Sequence, residues 1–123
     1  LYHMSLIITY ASSISVDAAV FDKPVININF ELRKSASPFK TPTRYYAKTH
    51  YQKALKTGGI RLVDNGEELV KWVNIYLNDP SRDSENRKRL VKEQCIYLDG
   101  KSGERIGNFI LEYLNSVNPA LDN

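Results

Sequence analysis

The stretch Ser5-Leu6-Ile7-Ile8-Thr9-Tyr10-Ala11-Ser12-Ser13-Ile14-Ser15-Val16-Asp17-Ala18-Ala19-Val20-Phe21-Asp22-Lys23-Pro24-Val25-Ile26 decides the fold. Its first six residues are apolar and β-branched without polar alternation, the pattern of a strand buried on both faces of a parallel sheet. Ala11-Ser12-Ser13 follows, with serines suited to cap a helix. The alanines of Ile14 to Phe21 favour that helix. Asp22-Lys23-Pro24 stops it, because proline pushes the residue before it out of the helical region. Val25 to Phe30 reads as the next strand, and its alternating asparagines mark it as less central or as opening onto a site.

Outward from this unit, the alternation continues. Ser35 to Pro42 reads as a loop, and Thr43 to Lys56 as one helix with Tyr46, Ala47, His50, Tyr51, Ala54 and Leu55 at helical spacing. Thr57-Gly58-Gly59 ends it, and Ile60 to Val63 is a third short strand. Asn65 with Glu68 makes a capping box for a helix running to Asn78-Asp79-Pro80. Ser84 caps a further helix through Leu90, Val91, Cys95 and Leu98. A final helix carries Ile106, Phe109, Ile110, Tyr113, Leu114 and Val117 on one face, a stripe read as a core face. Strands alternating with helices predict an α/β fold: a Rossmann-like parallel sheet with flanking helices and a helical C-terminus.

The chain has 123 residues, enough for one domain over 1–123. Three strands make a thin sheet, and the chain opens without methionine almost directly into a strand-like run. Both predict a piece of a longer protein, incomplete at its N-terminus. No apolar run approaches the roughly 18 residues that span a bilayer. Leu1 to Tyr10 has neither the basic start nor the small-residue cleavage site of a signal peptide. Cys95 is the single cysteine, so no internal disulfide forms and a reducing cytoplasm is the natural compartment. A small buried hydrophobe is the reading for it. The two histidines, one cysteine and scattered acids do not converge into a metal-ligand set, so neither metal nor cofactor is expected.

Net charge is +3, and eight of the 17 basic residues fall between Glu31 and Asp64 with no acid among them: Arg33, Lys34, Lys40, Arg44, Lys48, Lys53, Lys56 and Arg61. Such a stretch suits phosphates, an anionic membrane surface or nucleic acid; a solvated loop and helix stays open beside these.

Ligands of open α/β sheets bind at the carboxyl ends of the strands. A helix start there offers unpaired N–H groups and a positive dipole end to phosphate. Ser12 and Ser13 add hydroxyls, and Asp17 lies one turn on, near the face of Ser13. A carboxylate accepts hydrogen bonds from the vicinal hydroxyls of a ribose. Phosphate donors beside a diol acceptor describe a nucleotide site, although serine caps occur at many helices. His50 reads as a further diphosphate ligand or as a plain surface or packing histidine.

The segment Ile8 to Ile26 resembles the donor-site segment of GT-B-fold glycosyltransferases: strand, small-residue turn, helix with an acid followed by alanines, then a Lys-Pro-Val-Ile strand. Gly58 to Leu69, Tyr76 to Pro80 and Asp99 to Ile106 are similar to the C-terminal ends of surface-polysaccharide transferases and CDP-glycerol glycerophosphotransferases. The resemblance implies the C-terminal, nucleotide-diphosphate donor-binding lobe of such an enzyme. In it Ser12 and Ser13 contact the diphosphate and Asp17 the donor ribose. It also implies a separate N-terminal acceptor-binding domain supplying the general base, no metal, no nucleic acid and no turnover by this chain alone. The expected place is the cytoplasm or, peripherally, the inner membrane face. Tyr10-Ala11 stands where the glycerophosphotransferase subgroup typically has Asp, which favours a nucleotide-sugar donor for polysaccharide or cell-surface glycan synthesis. A glycerophosphotransferase, a sugar-nucleotide epimerase and a non-catalytic nucleotide-binding α/β domain are the alternatives.

Overall fold

The computed structural model describes residues 1–31 and 41–117. Arg33, Lys34 and Lys40 of the basic stretch, and most of the loop read at 35–42, lie outside the described residues. Three strands, β1 (Ile7–Thr9), β2 (Val25–Ile28) and β3 (Arg61–Val63), form a parallel sheet in the order β1-β2-β3. Ile7 pairs with Val25 and Ile26 with Arg61. The described residues also form six helices: α1 (Ile14–Val20), α2 (Pro42–Tyr46), α3 (Thr49–Lys56), α4 (Gly66–Asn78), α5 (Ser84–Gln94) and α6 (Ser102–Val117). The parallel α/β architecture is as expected.

The side-chain period of two along β2 sorts the core into two layers. Val25 joins Ile7, Ala18, Ala19, Ala54, Ile60 and Leu90 on the face covered by α1, α3 and α5. Ile26 joins Val63 and Tyr76 on the face covered by α4, with Trp72 and Val73 against it. A strand covered on both sides has no solvent face, which is why β2 carries no polar alternation at Val25 and Ile26. β2 is the central strand, which removes the first of the two readings of its asparagines, that the strand is less central. Asn27 is fully buried, and the Ser15 hydroxyl of α1 donates to its Oδ1 at 2.9 Å.

Turn chemistry follows the sequence closely. Asp22 ends α1 in the left-handed region at φ 52°, before the 23–24 Lys-Pro. Thr57 caps α3, and Gly58 adopts φ 74° beside it. Asn65 Oδ1 accepts from the Glu68 backbone N–H at 2.9 Å, while the Glu68 carboxylate accepts from the Asp64 N–H at 3.0 Å. The second arm of the capping box therefore reaches one residue beyond the cap.

Four expectations need correction. The single helix over 43–56 is two, because Lys48 is extended at φ −69° and ψ 142°. The Gln52 side chain donates to the carbonyl of Tyr46 at 2.6 Å across that break. Ser84 is the first residue of α5 and not its cap; Asp83 at φ 62° holds that place. α5 ends at Gln94, so Cys95 caps a helix end and is half-buried as a free thiol, while Ile96 and Leu98 are exposed. The stripe of α6 is no core face of the described residues: Ile106, Phe109, Ile110, Tyr113, Leu114 and Val117 are all exposed.

Candidate functional site

β1 ends at Thr9, and the chain turns through Tyr10 to Ser13 into α1 at the carboxyl end of the sheet. Ser12 shapes this turn. Its Oγ accepts from the Ile14 N–H at 3.3 Å, and its carbonyl accepts from the Ser15 N–H at 3.3 Å. Ser13 stands at the helix start without a side-chain cap bond. Its carbonyl instead accepts from Val16 and Asp17, leaving its exposed hydroxyl outside the helix's own bonding.

Beside this turn lies a cavity of about 330 Å³. Ser12, Ser13 and Val16 form the α1 side, His50, Tyr51 and Ala54 the α3 side, and Ile60 and Gln94 complete it. Val16, Ala54 and Ile60 make an apolar floor under hydroxyl, imidazole and carboxamide groups. Burial pushes the Tyr51 phenol above its ordinary pKa. A few convergent polar groups over an apolar floor is the usual make-up of a small-molecule site.

An aromatic chain joins the cavity to the turn. His50 and Tyr51 have ring centroids 4.8 Å apart, Tyr51 and Tyr46 5.6 Å, and Tyr46 and Tyr10 6.2 Å. Tyr46 is the keystone: it is buried, and its hydroxyl donates to the Ile28 carbonyl at 3.1 Å. Burial, then the neighbouring Tyr51 and Tyr10, push its phenol far up, against the opposing pull of Asn27 and the Ala11 backbone.

At the ends of β2 and β3, the Asn29 amide donates to Asp64 Oδ1 at 2.6 Å, and the Thr43 hydroxyl donates to Asn29 Oδ1 at 3.3 Å. These bonds fix the start of α2 against the sheet.

The sequence singled out four site residues. Ser12, Ser13 and His50 meet in the cavity, although His50 is 37 positions from Ser13. Asp17 is exposed on α1 and is not among the cavity's lining residues. Arg44 and Lys48, the basic neighbours of His50, do not line it either; the Lys48 ammonium lies over the Tyr45 ring at 5.4 Å. Tyr51 and Gln94 were missed. Tyr51 adjoins His50 and could have been read with it, whereas Gln94 carries no local signal. Among the described residues, no group of His, Cys, Asp and Glu could hold a metal ion, and no helix is long and apolar enough to cross a membrane.

A parallel α/β domain with a polar strand-to-helix turn at its strand ends sets the class, and comparison with known proteins gives the family. Residues 1–112 match the CDP-Glycerol:Poly(glycerophosphate) glycerophosphotransferase family, and the chain belongs to it. It is 31% identical over 112 residues to the minor teichoic acid biosynthesis protein GgaB of Bacillus subtilis (strain 168). That alignment covers 91% of this chain and 11% of GgaB, so the chain spans about a tenth of that relative's length. No solved structure matches the chain.

Proposed function

We propose that this chain is the donor-binding domain of a transferase that builds a cell-surface polysaccharide, holding the diphosphate of a nucleotide-linked donor at Ser12, Ser13 and His50. The observation that carries the reading is the cavity that gathers these three residues at the carboxyl end of β1. Membership of the glycerophosphotransferase family supports a nucleotide-linked donor. The likeness to a teichoic acid biosynthesis protein supports a surface polymer as the product.

With a nucleotide sugar as donor, the sugar passes to an acceptor hydroxyl and the nucleoside diphosphate departs; with CDP-glycerol, glycerophosphate passes to the acceptor, the phosphoanhydride bond breaks and CMP departs. Hydroxyl and imidazole donors at the diphosphate stabilise the charge of the departing nucleotide without reorganising. In this reading Asp17 takes the ribose hydroxyls. The general base belongs to an N-terminal acceptor-binding lobe with the GT-B arrangement. In the same reading the exposed Lys48, Lys53 and Lys56 meet an anionic inner membrane surface.

Calorimetric titration of the chain with CDP and UDP, free and as CDP-glycerol and UDP-glucose, tests it. Binding that weakens about tenfold in Ser12→Ala/Ser13→Ala and in His50→Ala, each removing hydrogen bonds to a charged group, supports the site. Absence of binding by every one of these nucleotides removes it.

A further inference from the structure

α6 is a helix of 16 residues, none of them buried. Its start is fixed locally: Arg105 pairs with Asp99, and its guanidinium lies 3.9 Å from the centre of the Tyr97 ring. Beyond that start, Ile106, Phe109, Ile110, Tyr113, Leu114 and Val117 share one face and are 43% to 68% exposed. A helix of this length is marginal in water on its own and draws its stability from packing an apolar face. The stripe therefore calls for a cover that the described residues do not supply.

The spacing of the stripe points to its own copy. Its six positions step by 3, 1, 3, 1 and 3 residues, a series that reads the same in both directions. Two such helices related by a two-fold axis between Leu111 and Glu112 set Ile106 against Val117, Phe109 against Leu114 and Ile110 against Tyr113 of the second copy. Each pair matches a larger side chain with a smaller one, as interdigitating layers require. This is the self-complementarity of a two-fold interface, and the antiparallel arrangement also opposes the two helix dipoles. At roughly 100 Å² exposed per side chain, two stripes offer about 1,200 Å² for burial, where stable specific interfaces begin. An anionic membrane surface is a poorer cover. α6 carries Glu104 and Glu112 against Arg105, which is already paired, and lacks the lysines and arginines that hold a helix on anionic lipid. We infer that α6 packs antiparallel on α6 of a second copy, making the chain a two-fold dimer. The inference is independent of the donor reading, since no residue of α6 lines the cavity.

Sedimentation equilibrium of the full chain, from micromolar to submillimolar concentration, tests it. The mass should rise reversibly from 14.1 kDa to twice that value and stop there. Phe109→Glu and Tyr113→Glu each put a charge into the seam and should weaken association by about thirtyfold or more. Asn108→Glu and Asn115→Glu lie on the opposite face of α6 and should leave it unchanged. The seam residues belong to neither core cluster, so urea unfolding of the sheet should be the same in every variant at the lowest concentration. Ile110→Ala, which keeps the helix, should shift association in the same direction as the glutamates. Orientation is read by cross-linking. With Cys95 replaced by alanine, Ile106→Cys and Val117→Cys chains should join in a disulfide when mixed and oxidised, and neither should do so alone. A chain that stays at 14.1 kDa throughout would leave the stripe to a different protein segment and overturn the inference. Association that continues past two copies, that survives both glutamate variants, or that cross-links like positions would overturn it equally.

Discussion

Arg87 and Asp22, 65 residues apart, meet at 2.7 Å where the end of α1 touches α5. The Arg87 side chain is 1% exposed, and its remaining N–H groups donate to the carbonyls of Arg82 and Pro80 at 2.6 and 2.8 Å. Ser84 also donates to Asp22, at 2.8 Å. One guanidinium thus satisfies two loop carbonyls and locks α5 onto the turn that precedes β2, the contact that also holds Gln94 beside the cavity.

Breaking that lock should unfold the domain readily. Arg87→Met keeps the aliphatic stem but leaves two carbonyls without their donor and the Asp22 carboxylate with Ser84 alone, and should destabilise by about 3 kcal/mol. Asp22→Asn keeps the acceptor and the tolerance for a left-handed backbone but removes the charge, and should lower stability by about 1 kcal/mol. Urea unfolding of both single variants and the double variant checks this. Additive losses would show that the two side chains are not coupled.

The same carboxylate sets an acid limit. Burial pushes the Asp22 carboxyl up, but hydrogen bonds from Ser84 and Arg87 and the Arg87 charge outweigh it and hold it below the ordinary range. Asp83 behaves alike: burial is opposed and outweighed by Tyr76 and Arg61. A carboxyl lowered in the folded state binds protons less readily than when unfolded. Its stabilisation is complete above the unfolded value, about 3.9, and is lost as pH falls through the lower folded value. Urea midpoints should therefore hold steady down to about pH 5 and drop below about pH 4. Asp22→Asn should flatten the drop.

At the alkaline end the sign reverses. Tyr76, buried against β3, donates to Asp83 at 2.8 Å, and burial followed by this bond pushes its phenol up to about 12. The folded state prefers the protonated phenol, so its contribution is whole below the unfolded value of about 10 and disappears as pH rises through the folded one. Tyr76→Phe should remove this alkaline loss while lowering stability at neutral pH by about 1 kcal/mol. pH-dependent unfolding of the two proteins reads both effects.

Much of this architecture is legible in the sequence because its signals are local. The apolar run at Ile7, the proline at 24 and the glycines at 58 and 59 each determine their own backbone. The break at Lys48 is hidden because Tyr46, His50 and Tyr51 keep helical spacing across it. The stripe of α6 is equally legible as a pattern, yet amphipathicity specifies a face and not what meets that face. Gln94 is the clearest limit for the site. It enters the cavity only because Arg87 and Leu90 pack α5 against α1, a contact built from residues more than sixty positions apart in sequence. Ser12 and Ser13, by contrast, follow from the strand-to-helix turn alone.

Gly59 shows how tightly α5 is seated. A Cβ there would lie 2.8 Å from the Asn86 carbonyl and 3.0 Å from the Arg87 Cα, both backbone atoms that cannot swing away. Gly59→Ala should therefore destabilise by about 2 kcal/mol through overpacking. Gly107 in α6 would meet nothing within 4 Å, so Gly107→Ala should be neutral or stabilise by up to about 1 kcal/mol through helix propensity. Thermal unfolding of the pair separates them, and equal effects would contradict the close packing of the α3–β3 turn on α5.

Asp17 provides the sharpest test of the donor reading, because it stands outside the cavity that Ser12, Ser13 and His50 share. It is exposed on α1, and its backbone N–H bonds to the Ser13 carbonyl, so its side chain rises on the same helical face as that serine. A ribose diol bound there gains charge-assisted hydrogen bonds of about 1.5–3 kcal/mol. Asp17→Ala should then weaken nucleoside diphosphate binding by at least roughly tenfold, since about 1.4 kcal/mol is one decade. Unfolding should be unaffected, because no core contact is lost. Calorimetry with CDP and 2′,3′-dideoxy-CDP completes the cycle. The dideoxy ligand should bind wild type and Asp17→Ala equally, and a variant that discriminates the two ligands as strongly as wild type would take the ribose away from Asp17.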